Sequence, residues 1–162
     1  VLEEALAHQQ EQPFTLMQCD LDRFKQVNDT LGHAAGDDVI QAVARRLTRV
    51  VGETGFVARI GGDEFVILLG EETNRQALEH LATQIIEEIR RPISTTQGDE
   101  AHIGISLGVA CAPADAETAQ SIMAAADGAL YVAKNQGRNV GMLFMASKHS
   151  LQLPPMQAPQ RP

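Results

Sequence analysis

Residues 56–69 read Phe-Val-Ala-Arg-Ile-Gly-Gly-Asp-Glu-Phe-Val-Ile-Leu-Leu, two apolar runs rich in β-branched and aromatic residues on either side of a Gly-Gly pair. This pattern predicts a tight β-hairpin, because glycine can supply the positive φ that a two-residue turn needs. A hairpin requires antiparallel pairing, so a purely parallel sheet is excluded from the outset. Asp63 and Glu64 stand at its tip. Adjacent like charges are unfavourable unless a cation binds them, which makes the tip a candidate metal site. The plain alternative is a surface turn whose acids are solvated.

The remaining segments arrange themselves around this hairpin. Residues 14–19 are almost continuously apolar after Pro13, as expected of a strand buried on both faces, and the run ends in Asp20-Leu21-Asp22. Carboxylates at the end of a central strand are costly to bury without partners, so Asp20 and Asp22 are further candidates, with capping of the next helix as the ordinary role for Asp22. Residues 23–31 read as a short helix and residues 32–36 as a loop carrying His33. Asp37-Asp38 opens an amphipathic helix reaching Val51, where both acids suit the positive helix end. A second amphipathic helix covers residues 74–90, ending at Pro92. Residues 93–95 and 101–110 read as another hairpin. A third helix covers residues 117–135, stopped by Gly137, which places Lys134 before the cap and Arg138 after it; residues 141–145 form a short edge strand.

These elements predict an α/β fold of the α+β type: one central mixed, mostly antiparallel sheet of about five strands, covered by helices. The 162 residues, 44% hydrophobic, fit a single domain over residues 1–145, with a flexible Pro- and Gln-rich tail or linker at 146–162. The chain begins without Met and already in helical periodicity, which reads as a domain cut upstream. A formal net charge of −8 excludes a general polyanion binder, so no nucleic-acid partner is expected and any phosphate must be held by placed cations or metal. Cys19 and Cys111 lie far apart and read as small buried residues of a reducing compartment. With neither a membrane-length apolar run nor a signal pattern, the domain is expected in the cytoplasm, without membrane contact. P-loop and Rossmann glycine spacings are absent.

If Asp20 and the Asp63-Glu64 tip lie on neighbouring strands, three carboxylates meet at one edge. Such an oxygen-rich set suits two Mg²⁺ or Mn²⁺ ions, able to activate an attacking hydroxyl and polarise the phosphorus it attacks. At this point the chain resembles the GGDEF-domain diguanylate cyclases. The signature is unbroken as Gly61-Gly62-Asp63-Glu64-Phe65, preceded by Arg59. The match continues through Asp20-Leu21-Asp22-Arg23-Phe24-Lys25-Gln26-Val27-Asn28-Asp29, Leu31-Gly32-His33, Gly36-Asp37, and Ser106-Leu107-Gly108-Val109-Ala110. It ends with the stretch from Ala126 to Lys134 and Gly137-Arg138-Asn139.

The resemblance implies a fold like that of nucleotidyl cyclases and polymerase palms, and a role for each matching residue. Asp20, the Leu21 carbonyl, Asp63 and Glu64 would hold two Mg²⁺ (or Mn²⁺) per site, with Asp63 also accepting the proton of the attacking 3′-hydroxyl. Asn28 and Asp37 would read the guanine edge, with His33 close by. Lys25, Arg59, Lys134 and Arg138 would face phosphates, and Gly61 and Gly62 would let substrate approach. The implied reaction joins two GTP into cyclic di-GMP and two pyrophosphates, in bacterial second-messenger signalling. One chain carries one copy of every motif and the product is two-fold symmetric, so a homodimer with its site across the interface is expected. The family often carries Arg-x-x-Asp just upstream of the hairpin; here Gly52-Glu53-Thr54-Gly55 stands there, so no product inhibition through that site is expected. The family's Leu-Thr-x-Leu-x-Asn-Arg lead-in is also missing. The rival reading is a catalytically silent, GTP-binding regulatory module for an attached domain such as a phosphodiesterase.

Overall fold

The structure is a computed structural model, and it describes residues 1–7, 12–70, 74–139, 141–143 and 151–152. In chain order its elements are α1 (Leu2–Ala7), β1 (Phe14–Asp22), α2 (Phe24–Leu31), α3 (His33–Val51), β2 (Gly55–Arg59), β3 (Glu64–Gly70), α4 (Arg75–Ile89), β4 (Ile93–Ser94), β5 (Glu100–Ala101), β6 (Gly104–Ala112), α5 (Ala119–Asn135), β7 (Gly141–Leu143) and β8 (Leu151–Gln152). The main sheet has the order β2-β3-β1-β6-β7-β8, antiparallel except for the β6–β7 pair. The fold is therefore the mixed, mostly antiparallel α+β sheet expected from the sequence.

All of β1 is buried, because it lies between β3 and β6 and is covered on both faces. Met17, Cys19 and Leu21 pack with α3 and α4 residues such as Val43, Leu47, Ile85 and Ile89, while Phe14 and Leu16 pack with Ile122 and Ala126 of α5. Successive strand residues alternate between faces, so Asp20 shares the α5 side with Phe14 and Leu16. The small residues of α5 let it come close: a Cβ on Gly108 of β6 would overlap the α5 backbone at Ala126 and Leu130. Ala126, Ala129 and Ala133 are fully buried against the sheet.

Four local expectations are corrected. Residues 32–36 are not a loop: Gly32 alone (φ 86°) joins α2 to α3, its N–H closing α2 on the Asn28 carbonyl at 2.9 Å and its own carbonyl accepting from Gly36 N–H at 3.1 Å. The hairpin turn has four residues, 60–63, and neither Gly61 nor Gly62 takes a positive φ. The stretch 101–110 is split: β5 pairs with β4 in a separate two-stranded sheet, and β6 joins β1 in the main one. Asp37 and Asp38 fall inside α3, since that helix begins four residues earlier than the sequence suggests, so neither caps it; Asp38 instead accepts from the N–H and hydroxyl of Thr96, both at 2.8 Å. In the tail, Leu151–Gln152 pairs with β7, and most of residues 144–162 lie outside the described residues. Among the described residues no helix is long and apolar enough to cross a membrane.

Candidate active site at the carboxylate edge

The register of β1 decides which acids meet. Asp20 stands opposite Glu64 of β3 on one side and Ser106 of β6 on the other. One residue on, the Leu21 N–H donates to the Asp63 carbonyl at 3.1 Å, which ties the hairpin tip to the end of β1. Asp20 is only 8% exposed. Its burial is compensated by Lys134 in the last turn of α5, whose Nζ lies 2.7 Å from Asp20 Oδ2. A residue expected to face phosphate is thus paired with a residue expected to hold metal.

The hairpin turn is shaped by short-range bonds. The Ile60 and Gly61 N–H groups donate to the Glu64 carbonyl at 3.0 and 3.4 Å. Arg59 folds over the turn, donating from Nε to Gly61 O at 2.9 Å and from Nη2 to Gly62 O at 2.8 Å. A Cβ at Gly61 would stand 2.9 Å from Glu64 Oε2, so a side chain there would push the Glu64 carboxylate aside. Gly62 has open space around it.

Asp22 has a role that capping does not describe. The residue before α2 is Arg23, in left-handed backbone (φ 63°), and α2 has no side-chain cap. Asp22 instead accepts from Ser106 Oγ and from the Asn139 N–H, each at 2.7 Å, and so pins the turn after α5 to the sheet. Burial pushes its carboxyl above the ordinary carboxylate value; the bonds from Ser106 and Asn139 oppose that shift, nearby Asp20 adds to it and Arg138 reduces it. The turn itself is a Schellman motif: Gly137 N–H reaches the Lys134 carbonyl, Arg138 N–H reaches the Ala133 carbonyl, and Gly137 has φ 111°. Exposed Arg138 is held in place by this turn.

The other candidates gather at the α2–α3 corner. Lys25, His33 and Asp37 are exposed and Asn28 is half-buried. Asn28 lies directly on Gly36, where a Cβ would overlap its Oδ1. Sequence reasoning assigned Gly36 to a loop and missed that its bare backbone seats Asn28; it also missed the Asp22–Ser106–Asn139 anchor. A carboxylate after an almost continuous apolar run was the available signal for the second, and nothing in the local sequence pointed to the first.

The donors at the edge are carboxylate and carbonyl oxygens, the chemistry that Mg²⁺ and Mn²⁺ select. Asp20 and Glu64 face each other in register and Asp63 is adjacent, so the residues present fit a hard divalent ion in kind. Among the described residues, however, no three His, Cys, Asp or Glu side chains are already drawn together as a metal cluster, and the Lys134 ammonium supplies positive charge at Asp20.

Residues 1–140 match the family described as diguanylate cyclase, GGDEF domain. The chain is 36% identical over 132 residues to the diguanylate cyclase TpbB of Pseudomonas aeruginosa, a match covering 82% of this chain and 30% of that protein. It is 37% identical over 151 residues to MucR of the same organism, a bifunctional diguanylate cyclase/cyclic di-GMP phosphodiesterase, covering 92% of this chain and 22% of that one. The crystal structure of the TpbB GGDEF domain superposes with a TM-score of 0.84 at 36% identity, over 88% of this chain and 90% of that chain. The GGDEF domain of DgcB from Caulobacter crescentus, in complex with c-di-GMP, superposes with a TM-score of 0.79 at 33% identity, over 88% and 85%. The chain spans less than a third of the length of the first curated relatives it matches. With the family match running through the carboxylate edge and almost to the end of the described sheet, the chain belongs to the GGDEF-domain family of diguanylate cyclases.

Proposed function

We propose that this domain condenses two GTP into cyclic di-GMP, releasing two pyrophosphates, across the interface of a homodimer in the cytoplasm. The observation that carries the reading is the facing of Asp20 and Glu64 across β1 and β3, with the Asp63 backbone bonded to Leu21 beside them. Asp20, the Leu21 carbonyl, Asp63 and Glu64 would hold Mg²⁺ or Mn²⁺, which when bound supplies charge against the triphosphate and acidifies the attacking hydroxyl. From the α2–α3 corner, Asn28 and Asp37 address the guanine edge, with His33 at its side. Lys25 and Arg138 offset phosphate charge, and Lys134 exchanges Asp20 for the phosphates as the triphosphate arrives. Asp63 accepts the proton of the 3′-hydroxyl; the O3′–Pα bond forms, the bond from Pα to the bridging oxygen breaks, and pyrophosphate leaves with its electron pair. Arg59 serves by shaping the turn. One copy of each motif per chain and a two-fold symmetric product support the homodimer. Residues 1–145 constitute the domain and 146–162 its tail.

The test is a product assay with GTP and Mg²⁺ on wild-type dimer and on Glu64→Gln. Wild type should yield cyclic di-GMP. The variant should fold normally and lose turnover by roughly a thousandfold. Activity that survives the substitution would refute the metal assignment. No product from a full-length, dimer-competent protein would favour the silent GTP-binding module.

A further inference from the structure

Asp20 has two claims on it. Its Oδ2 lies 2.7 Å from Lys134 Nζ, and it is also the β1 member of the oxygen donors that face Glu64. The ion pair is sheltered, with side-chain exposures of 11% for Asp20 and 33% for Lys134, so water and salt screen it less than a surface pair. Breaking such a pair without a replacement leaves a largely buried carboxylate uncompensated, which is strongly unfavourable. The helix that carries the lysine is also tied to the strand. Gln18, which precedes Asp20 on the same face of β1, donates from Nε2 to Asp127 Oδ1 at 3.4 Å, and Asp127 lies about two turns before Lys134 on α5.

A divalent ion on Asp20 would stand beside the Lys134 ammonium, and like charges that close repel, the more so away from bulk water. Each cation therefore weakens the hold of the other on this carboxylate. Among the described residues, Asp20, Asp63 and Glu64 are not gathered into one cluster, in keeping with an Asp20 committed to the lysine. A triphosphate carries several negative charges against the single one on Asp20, so it draws the ammonium away and frees the carboxylate. We propose, building on the metal role of this edge given above, that Lys134 is a built-in counter-ion that keeps divalent metal off Asp20 until a nucleoside triphosphate takes the lysine. Metal then binds this carboxylate with the nucleotide or after it, not before. The same pair lets the domain bury Asp20 without metal.

Two measurements on the whole chain test this. In wild type, a GTP analogue with methylene in place of the oxygen between the α- and β-phosphates should shift the Asp20 carboxyl ¹³C resonance in EDTA, whereas Mg²⁺ alone at the same concentration should not. Mn²⁺ binding without nucleotide, read from the electron-spin signal of the free ion, should be weak in wild type and roughly tenfold tighter in Lys134→Gln. Lys134→Arg keeps the charge and should match wild type. The gain should vanish when Lys134→Gln is combined with Asp20→Asn, which separates release of Asp20 from a general change in charge. With the analogue added, Mn²⁺ should broaden the Leu21 and Asp63 amide resonances of wild type. Equal nucleotide-free affinity in wild type and Lys134→Gln, or a gain that survives Asp20→Asn, overturns the counter-ion role, while the metal reading stands as long as Leu21 and Asp63 broaden with the analogue. If they broaden in no protein, the metal reading fails and the counter-ion role with it. Should Lys134→Gln not fold, the ¹³C measurement on wild type decides: an Asp20 resonance that ignores the analogue in EDTA, or that Mg²⁺ alone shifts as much, overturns the proposal.

Discussion

The hairpin turn at residues 60–63 and the turn at residues 137–139 deliver side chains to the same end of the sheet, yet they are held in opposite ways. The hairpin is held largely by its neighbours: Arg59 donates to carbonyls two and three residues on, and Ile60 and Gly61 donate to Glu64. The turn after α5 has local bonds of its own but is also fixed from far along the chain, by Asp22 at a separation of 117 residues and by Ser106 at 33. Left-handed backbone at Arg138 and Asn139 costs on the order of 1–3 kcal/mol each, so the remote bonds must over-determine it. The position of Arg138 therefore depends on the integrity of the sheet, whereas the shape of the hairpin depends mainly on a few adjacent residues.

Asp22→Ala should give the largest effect on stability. It leaves the buried Ser106 hydroxyl without its acceptor and the Asn139 N–H with only its 3.2 Å bond to Ser106 Oγ, a loss of about 2 kcal/mol, or roughly 4–8 °C in Tm by calorimetry. Asp22→Asn keeps an acceptor and should cost less than about 1 kcal/mol. If both variants melt like wild type, the remote anchor is not what holds the turn. Gly36→Ala comes next. The new methyl displaces Asn28, so GTP should bind about tenfold more weakly with ATP unchanged, while helix propensity gains about 0.5–1 kcal/mol and keeps Tm near its original value. Equal weakening of both nucleotides would remove Asn28 from guanine recognition.

Arg59→Ala should be smaller still, about 0.5 kcal/mol, because its bonds to the turn are exposed. A cost matching that of Asp22→Ala would erase the contrast between the two turns. The last effect is read by pH. Burial raises the Asp22 carboxyl above its ordinary value, so the folded state holds this proton more tightly than the unfolded one. Its contribution to stability is accordingly most favourable below the ordinary carboxylate value and is lost as pH rises through the raised midpoint, then stays level. A carboxyl ¹³C titration should place the Asp22 midpoint above that of an ordinary Asp, and Ser106→Ala should move it higher. A midpoint at or below the ordinary value would mean that the anchoring bonds outweigh burial.

Much of the fold was legible because its signals are local. The buried strand β1 followed from the almost continuous apolar run at 14–19, and α4 and α5 from their periodicity and caps. Asp20 and Glu64 were legible as candidates because acids at strand ends and turn tips demand an explanation. The errors have a common origin. Gly36 and Gly61 looked like turn glycines, but Gly36 is helical and leaves its space to the Asn28 side chain, and Gly61 sits in its turn without a positive φ. The stretch 101–110 alternated smoothly in sequence, yet Ala101 at its start belongs to the small sheet and residues 104–110 to the main one, which periodicity alone does not distinguish.

By itself, then, the sequence determined the strand and helix segments, the hairpin and the oxygen-rich donor set, because each depends on residues a few positions apart. Tertiary structure decided the pairings: Asp20 opposite Glu64, Lys134 on Asp20, and Asp22 on Asn139. These depend on strand register and on how closely α5 approaches the sheet, and both are set by packing summed over the whole core rather than by any local pattern.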